Sequence, residues 1–199
     1  EVWVSPWHTL PLVATRLLVA TGSTHDDQTH AGLAQLTATL WDQGTKELTS
    51  TQLAEALDSL GTSIDVGSNV DTTELSFSVE SQALPKVLEL VGKMIAEPRF
   101  DESDFQREQQ LQLSELASGP DSTTWIADRV FPTLLFGEQH PWGSPGPGFA
   151  SSVKALTREQ VQQFYRDHFA PQDSVLIVVG NVDTEKLLRL LETTLGGWK

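Results

Sequence analysis

The chain has no cysteine, a single methionine and a single tyrosine in 199 residues, and only 13 Lys and Arg against 27 Asp and Glu. Without cysteine there is no disulfide, no thiolate ligand for zinc and no thiol nucleophile. The shortage of cations leaves a formal net charge of −14. That excludes nucleic acid as a natural partner, because phosphate binding needs clustered Lys and Arg. The acidity favours solubility and would draw in a basic peptide or a basic partner subunit. No apolar run approaches the roughly 18 residues that span a bilayer. There is no G-x-S-x-G elbow. The one G-x-G element, Gly146-Pro147-Gly148, contains proline and precedes no phosphate-binding helix. The chain begins at Glu1, without Met and without a charged stretch leading into an apolar one. That pattern is expected of a fragment or a processed form.

What is present reads as alternating strands and helices. A short β-prone segment, Glu1–Trp7, stops at Pro6. Leu12–Thr21 is β-branched between Pro11 and Gly22 and reads as a buried strand. A helix is expected from Thr29 or His30 to about Gln43, stopped by Gly44, and a second over Thr51–Leu60, capped by Thr49 or Ser50. Ser63–Ser68 and Thr72–Glu80 read as a hairpin turning at Asn69-Val70-Asp71. Its second strand alternates Leu75, Phe77 and Val79 with polar residues, the mark of a half-buried antiparallel strand.

Leu84–Glu97 carries an apolar stripe at helical spacing and ends at Pro98. Helices over Asp101–Ser118 and from Asp121 to about Leu135 follow. Gly137–Gly148 is a Gly/Pro loop. T-R-E-Q at Thr157 is a capping box opening a helix to about His168, Ser174–Gly180 is a buried strand, and Asp183 caps a last helix to about Leu195. The hairpin and the interspersed helices predict an α+β fold with a mixed, largely antiparallel sheet, as one domain over 1–199.

The most informative stretch is Gly32–Thr45, GLAQLTATLWDQGT. A helix that binds zinc through H-x-x-E-H needs two His four residues apart, with a Glu beside the second acting as general base. On that grid stand Gln35, Ala38 and Thr39. Neutral Gln and Thr are poor zinc ligands, and Ala moves no proton. The flanks Gly32-Leu33-Ala34 and Gly44-Thr45 resemble those of the M16 (pitrilysin/insulinase-like) metallopeptidases, which typically read GLAHFLEHMLFKGT.

The resemblance extends along the chain. Leu12–Ser23 with His30–Ala34 is similar to the family's opening strand, turn and entry to the motif helix. Leu53–Ile64 resembles its next helix–glycine–strand step, and Pro98–Gln112 its P-x-F…E-x-x-R-E segment. Leu135–Gly148 resembles the LFG-x-x-HPYG loop, and Leu156–Val182 the stretch ending in V-V-G-N-V.

The family completes its zinc site with a Glu on that later helix, and anchoring on Arg107-Glu108 puts the position at Leu113. Glu115 lies two residues on, about 200° around a helix, and points elsewhere. The resemblance therefore implies the M16 (LuxS/MPP-like) fold with all three ligands and the general base lost at Gln35, Thr39, Leu113 and Ala38.

M16 enzymes pair a zinc-bearing half with a degenerate half around a chamber. The resemblance implies that this chain is the first domain of a degenerate half, with no cofactor of its own. Zinc would sit only in a partner half, on the same chain or another, with peptide as the possible substrate. The Arg and Tyr that a degenerate half offers to substrate lie in its second domain and have no counterpart here. A bacterial envelope location follows only from the family. The alternatives are a zinc endopeptidase with non-standard ligands and a scaffold subunit of another complex.

His25 and His30 flank Asp26 and Asp27 and are the only candidate metal ligands, although no third ligand stands at useful spacing. A solvated turn leading into a helix is the competing account of them. His140 in the HPWG loop is expected to pack the loop, and His8 and His168 to be surface or satisfied histidines. Of the six tryptophans, Trp142 is the one expected to be exposed.

Overall fold

The structure is a computed structural model and describes residues 1–198. One five-stranded sheet organises it. Its strands are β1 (Val2–Pro6), β2 (Leu12–Val19), β3 (Asp65–Ser68), β4 (Thr73–Glu80) and β5 (Ser174–Gly180), in the order β1-β5-β2-β4-β3. Only β1 and β5 run parallel; the other three pairings are antiparallel. The helices are α1 (Leu33–Trp41), α2 (Ser50–Ser59), α3 (Leu84–Ala96), α4 (Glu102–Ser118), α5 (Thr123–Phe136), α6 (Ala150–Ala155), α7 (Arg158–His168) and α8 (Thr184–Leu195). The expected α+β architecture with a mixed, largely antiparallel sheet is the one observed.

Register explains why one face of the sheet is buried. Leu17 of β2 stands beside Leu75 of β4 and Leu176 of β5, and Thr15 beside Phe77 and Val178. Because side chains alternate along a strand, these rows share one face. All six of these residues are buried. The intervening Leu12, Ala14 and Arg16 are exposed on the other face. The expected buried strand at Leu12–Thr21 is therefore half-buried and shorter: a continuous apolar run does not reveal that only alternate residues meet the helices.

The buried face carries α1. Trp41 at its end is fully buried and meets Phe169 edge-on at a ring distance of 5.0 Å. Such an aromatic pair adds about 0.5–1.5 kcal/mol beyond the area it buries. Tyr165 of α7 packs on Phe169 at 4.7 Å and donates its hydroxyl hydrogen to the Ile95 carbonyl at 2.7 Å, which satisfies the one polar atom it takes into the core.

Two helices differ from expectation. The first helix starts at Leu33, not at Thr29 or His30. Asp27 Oδ1 accepts the amides of Thr29 and His30 and closes a turn there, and Gly32 then adopts φ +98°. The short α6 lies where no helix was expected, since six residues carry too little periodicity to read. The hairpin turns as predicted, with Asn69 Oδ1 accepting the amides of Asp71 and Thr72. The capping boxes at Thr49 and Thr157 are both formed.

Candidate functional site

The frame around α1 is built by three side chains that hold its start. The Asp26 carboxylate accepts the Gly32 amide at 2.8 Å and the Ala34 amide at 2.9 Å, so it caps the first turn from outside the helix. Burial pushes its pKa up to about 7, against the lowering effect of those amide bonds. Gln112 of α4 donates to the carbonyls of Gly32 (3.2 Å) and Pro147 (3.0 Å). Ser152 of α6 donates to the Ala31 carbonyl at 2.7 Å. Glycine is required at position 32: besides its positive φ, a Cβ there would lie 2.8 Å from the Pro147 carbonyl oxygen and 2.9 Å from Gln112 Nε2.

At the other end of α1, Arg107 of α4 donates to the Gln43 side-chain oxygen at 2.6 Å and pairs with Asp104 and Glu108. Arg107 beside Gln43 and Gln112 beside Gly32 make α4 run opposite to α1 along its length. Leu113 follows Gln112 and so lies at the level of the first turns of α1, where Gln35 sits. Gln35, Thr39 and Leu113 are half-buried and Ala38 is fully buried. Glu115 is exposed.

These residues do not suit zinc. The Thr39 hydroxyl donates to the Gln35 backbone carbonyl at 3.0 Å, turning back onto its own helix. Ala38 and Leu113 bring no donor atom, and the Gln35 amide is neutral. Among the described residues, no group of three or more His, Cys, Asp or Glu is placed to hold a metal ion.

His25 and His30 are not brought to one site. The His25 ring packs against His168 of α7 at 4.9 Å. His30 Nδ1 lies 2.8 Å from Asp27 Oδ2, and its Nε2 lies 2.8 Å from the side-chain amide nitrogen of Gln160. His140 packs its loop, stacking on Phe136 at 5.4 Å and accepting the Trp142 amide on Nδ1. Trp142 is exposed.

Sequence reasoning gave no electrostatic role to three residues. Asp26 stands six and eight residues before the amides it caps, outside any capping pattern. Asp42, just past α1, is half-buried near Glu108 and Asp65, and desolvation first, then those like charges, push its pKa up to about 6. Arg129, the lone cation within the apolar stretch of α5, is the one its neighbours could have flagged.

Known proteins share this framework. Residues 4–129 match the model of the insulinase family, peptidase family M16, and residues 155–199 match the model described as the peptidase M16 inactive domain. The chain belongs to the M16 peptidase family. It is similar to an uncharacterized zinc protease of Mycobacterium tuberculosis, 29% identical over 178 residues, which cover 89% of this chain and 40% of that protein. It is also similar to the uncharacterized zinc protease YmxG of Bacillus subtilis, 20% identical over 96% of this chain and 46% of that protein.

Among solved structures, a peptidase M16 inactive domain from Pseudomonas fluorescens superposes with a TM-score of 0.92 at 21% identity, over 98% of this chain and 48% of that one. The first half of the periplasmic protease PqqL from Escherichia coli superposes with 0.86 at 21% identity, over 96% and 42%. At these identities the structures share the fold. The chain spans less than half the length of the curated relatives it matches.

Proposed function

We propose that this chain is a non-catalytic M16 domain, the first domain of a degenerate half, which forms part of the wall of a peptide-binding chamber and pairs with a zinc-bearing half. The observation that carries the reading is the set of side chains at Gln35, Ala38, Thr39 and Leu113. Two frame positions on one helix and a third on the helix lying against it are the arrangement a zinc site needs, and here all of them lack anionic or imidazole donors. Membership of the M16 family supports pairing with a second half, and relatives more than twice as long as this chain leave room for the second domain of its own half.

The scaffold has uses without chemistry. Gln35 and Thr39 leave half-buried polar surface that can face a chamber, and the acidic chain attracts basic peptide segments. Zinc and the general base then belong to the partner half. The test is to measure peptide cleavage by the full-length protein before and after Gln35→Ala and Thr39→Ala. Retained kcat is expected. A loss of two or more orders of magnitude with the fold intact would mean that these positions take part in the chemistry.

A further inference from the structure

A cleft of about 570 Å³ opens between α5 and the loop after it, walled by Val130, Leu134, Pro145 and Phe149 and carrying Arg129 and Glu138. That volume lies in the roughly 300–1,000 Å³ range of small-molecule sites, which are mostly apolar with a few polar groups that fix orientation.

Arg129 is unlike most arginines of the chain. Arg16, Arg99, Arg107, Arg158 and Arg189 each lie within ion-pair distance of an Asp or Glu. Arg129 has no such partner among the described residues, although the chain carries 27 carboxylates. Its guanidinium carbon sits 4.5 Å from the Trp125 ring centroid and 5.6 Å from that of Phe149. Nη2 donates to the Gly148 carbonyl, while Nη1 is shut off from water with no acceptor among the described residues. Burial lowers its pKa with no carboxylate acting against it. A cation held in a partly dry place without a counter-charge is costly, and that cost is removed by an anionic occupant.

We infer that this cleft binds the C-terminal residue of a peptide, its α-carboxylate on the Arg129 guanidinium and its apolar side chain against Val130, Leu134, Pro145 and Phe149. Arginine's planar fork matches a carboxylate. Trp125 and Phe149 hold the guanidinium by their faces, and presenting Nη1 to the carboxylate takes a turn of the group that exchanges the Nη2 bond to the Gly148 carbonyl for bonds to the ligand. Glu138 on the same wall disfavours a dianion such as phosphate. The choice of a peptide over another apolar acid rests on the chamber proposed above; the carboxylate chemistry does not.

The test titrates the full-length protein, in EDTA to stop turnover, with an acetylated tetrapeptide ending in phenylalanine, as the free acid and as the C-terminal amide. The acid is expected to bind on the order of tenfold tighter than the amide, a gap that Arg129→Gln abolishes. Because Arg129 also anchors Gly148, a second variant is needed that leaves the fold alone. Leu134 is 80% exposed, and Leu134→Asp is expected to weaken the acid by a similar factor with unchanged circular dichroism. Equal affinity for acid and amide, a gap that survives Arg129→Gln, or no saturable binding of either would overturn the inference. Octanoate binding as tightly as the peptide acid would overturn the peptide assignment. None of these outcomes bears on cleavage in the Gln35 and Thr39 variants, so the two readings fail separately.

Discussion

The side-chain amide of Gln112 donates to the main-chain carbonyl of Gly32, 3.2 Å away, and so ties the middle of α4 to the start of α1. The same nitrogen reaches the Pro147 carbonyl at 3.0 Å. One buried amide thus sets three segments, α4, α1 and the Gly/Pro loop, in a fixed relation. Gln112→Leu keeps the volume and removes the donor, so the Pro147 carbonyl loses this bond and the Gly32 carbonyl keeps only the Leu36 amide. A loss of about 0.5–1.5 kcal/mol in urea unfolding is expected. Gly32→Ala is expected to cost at least as much, because it adds a strained φ to a steric clash with the Pro147 carbonyl.

Asp42 gives a pH prediction. Burial and its neighbours Glu108 and Asp65 raise its pKa from 3.8 to about 6 in the folded chain. Between those values the folded state holds the proton more tightly than the unfolded state, so stability falls as pH rises through that window and the loss is complete above about 6. Asp42→Asn removes the half-buried charge. The variant is expected to gain roughly 1–3 kcal/mol over the parent at pH 8 and little at pH 4, since each tenfold change in proton affinity is worth about 1.4 kcal/mol. Parallel unfolding curves at the two pH values check it, and an equal change at both would contradict it. Asp26 acts in the same direction up to about pH 7. Its Asn variant, however, also gives up one of the two acceptors that cap α1, so the gain there is expected to be smaller.

Helix α5 has no buried residue, and Phe131 and Leu135 are 65% and 60% exposed. Contiguous apolar surface of this kind marks an interaction face. Phe131→Ser and Leu135→Ser are expected to leave the unfolding free energy within about 0.5 kcal/mol. They are expected to weaken association with the other half, as read by sedimentation. A large loss of stability instead would mean that α5 packs inside this domain.

The sequence exposes those features whose cause is local. The alternation in Thr73–Glu80, the Asn69 turn and the Thr157 capping box are written in neighbouring residues and stand as expected. The start of α1 was not legible, because Gly32 takes its left-handed turn against Pro147 and Gln112, which are far away in sequence. The exposure of α5 was not legible either: its apolar residues are those of a core helix, and only tertiary placement leaves them outside. At the candidate site, the residue types at 35, 38, 39 and 113 could be read directly. The support given by Asp26, Gln112 and Ser152 could not, since each acts on a backbone amide or carbonyl and leaves no pattern at its partner.

Whether the α1–α4 frame is free of zinc is decided most directly by metal content. Full-length protein, purified without chelator, is analysed for zinc by elemental analysis beside a Gln35→Ala/Thr39→Ala double variant with the same fold. Any zinc present is expected to stay at the same stoichiometry in the double variant, since it would reside in the partner half. Zinc bound at one equivalent in the parent and lost from the double variant would contradict a frame that has given up its metal.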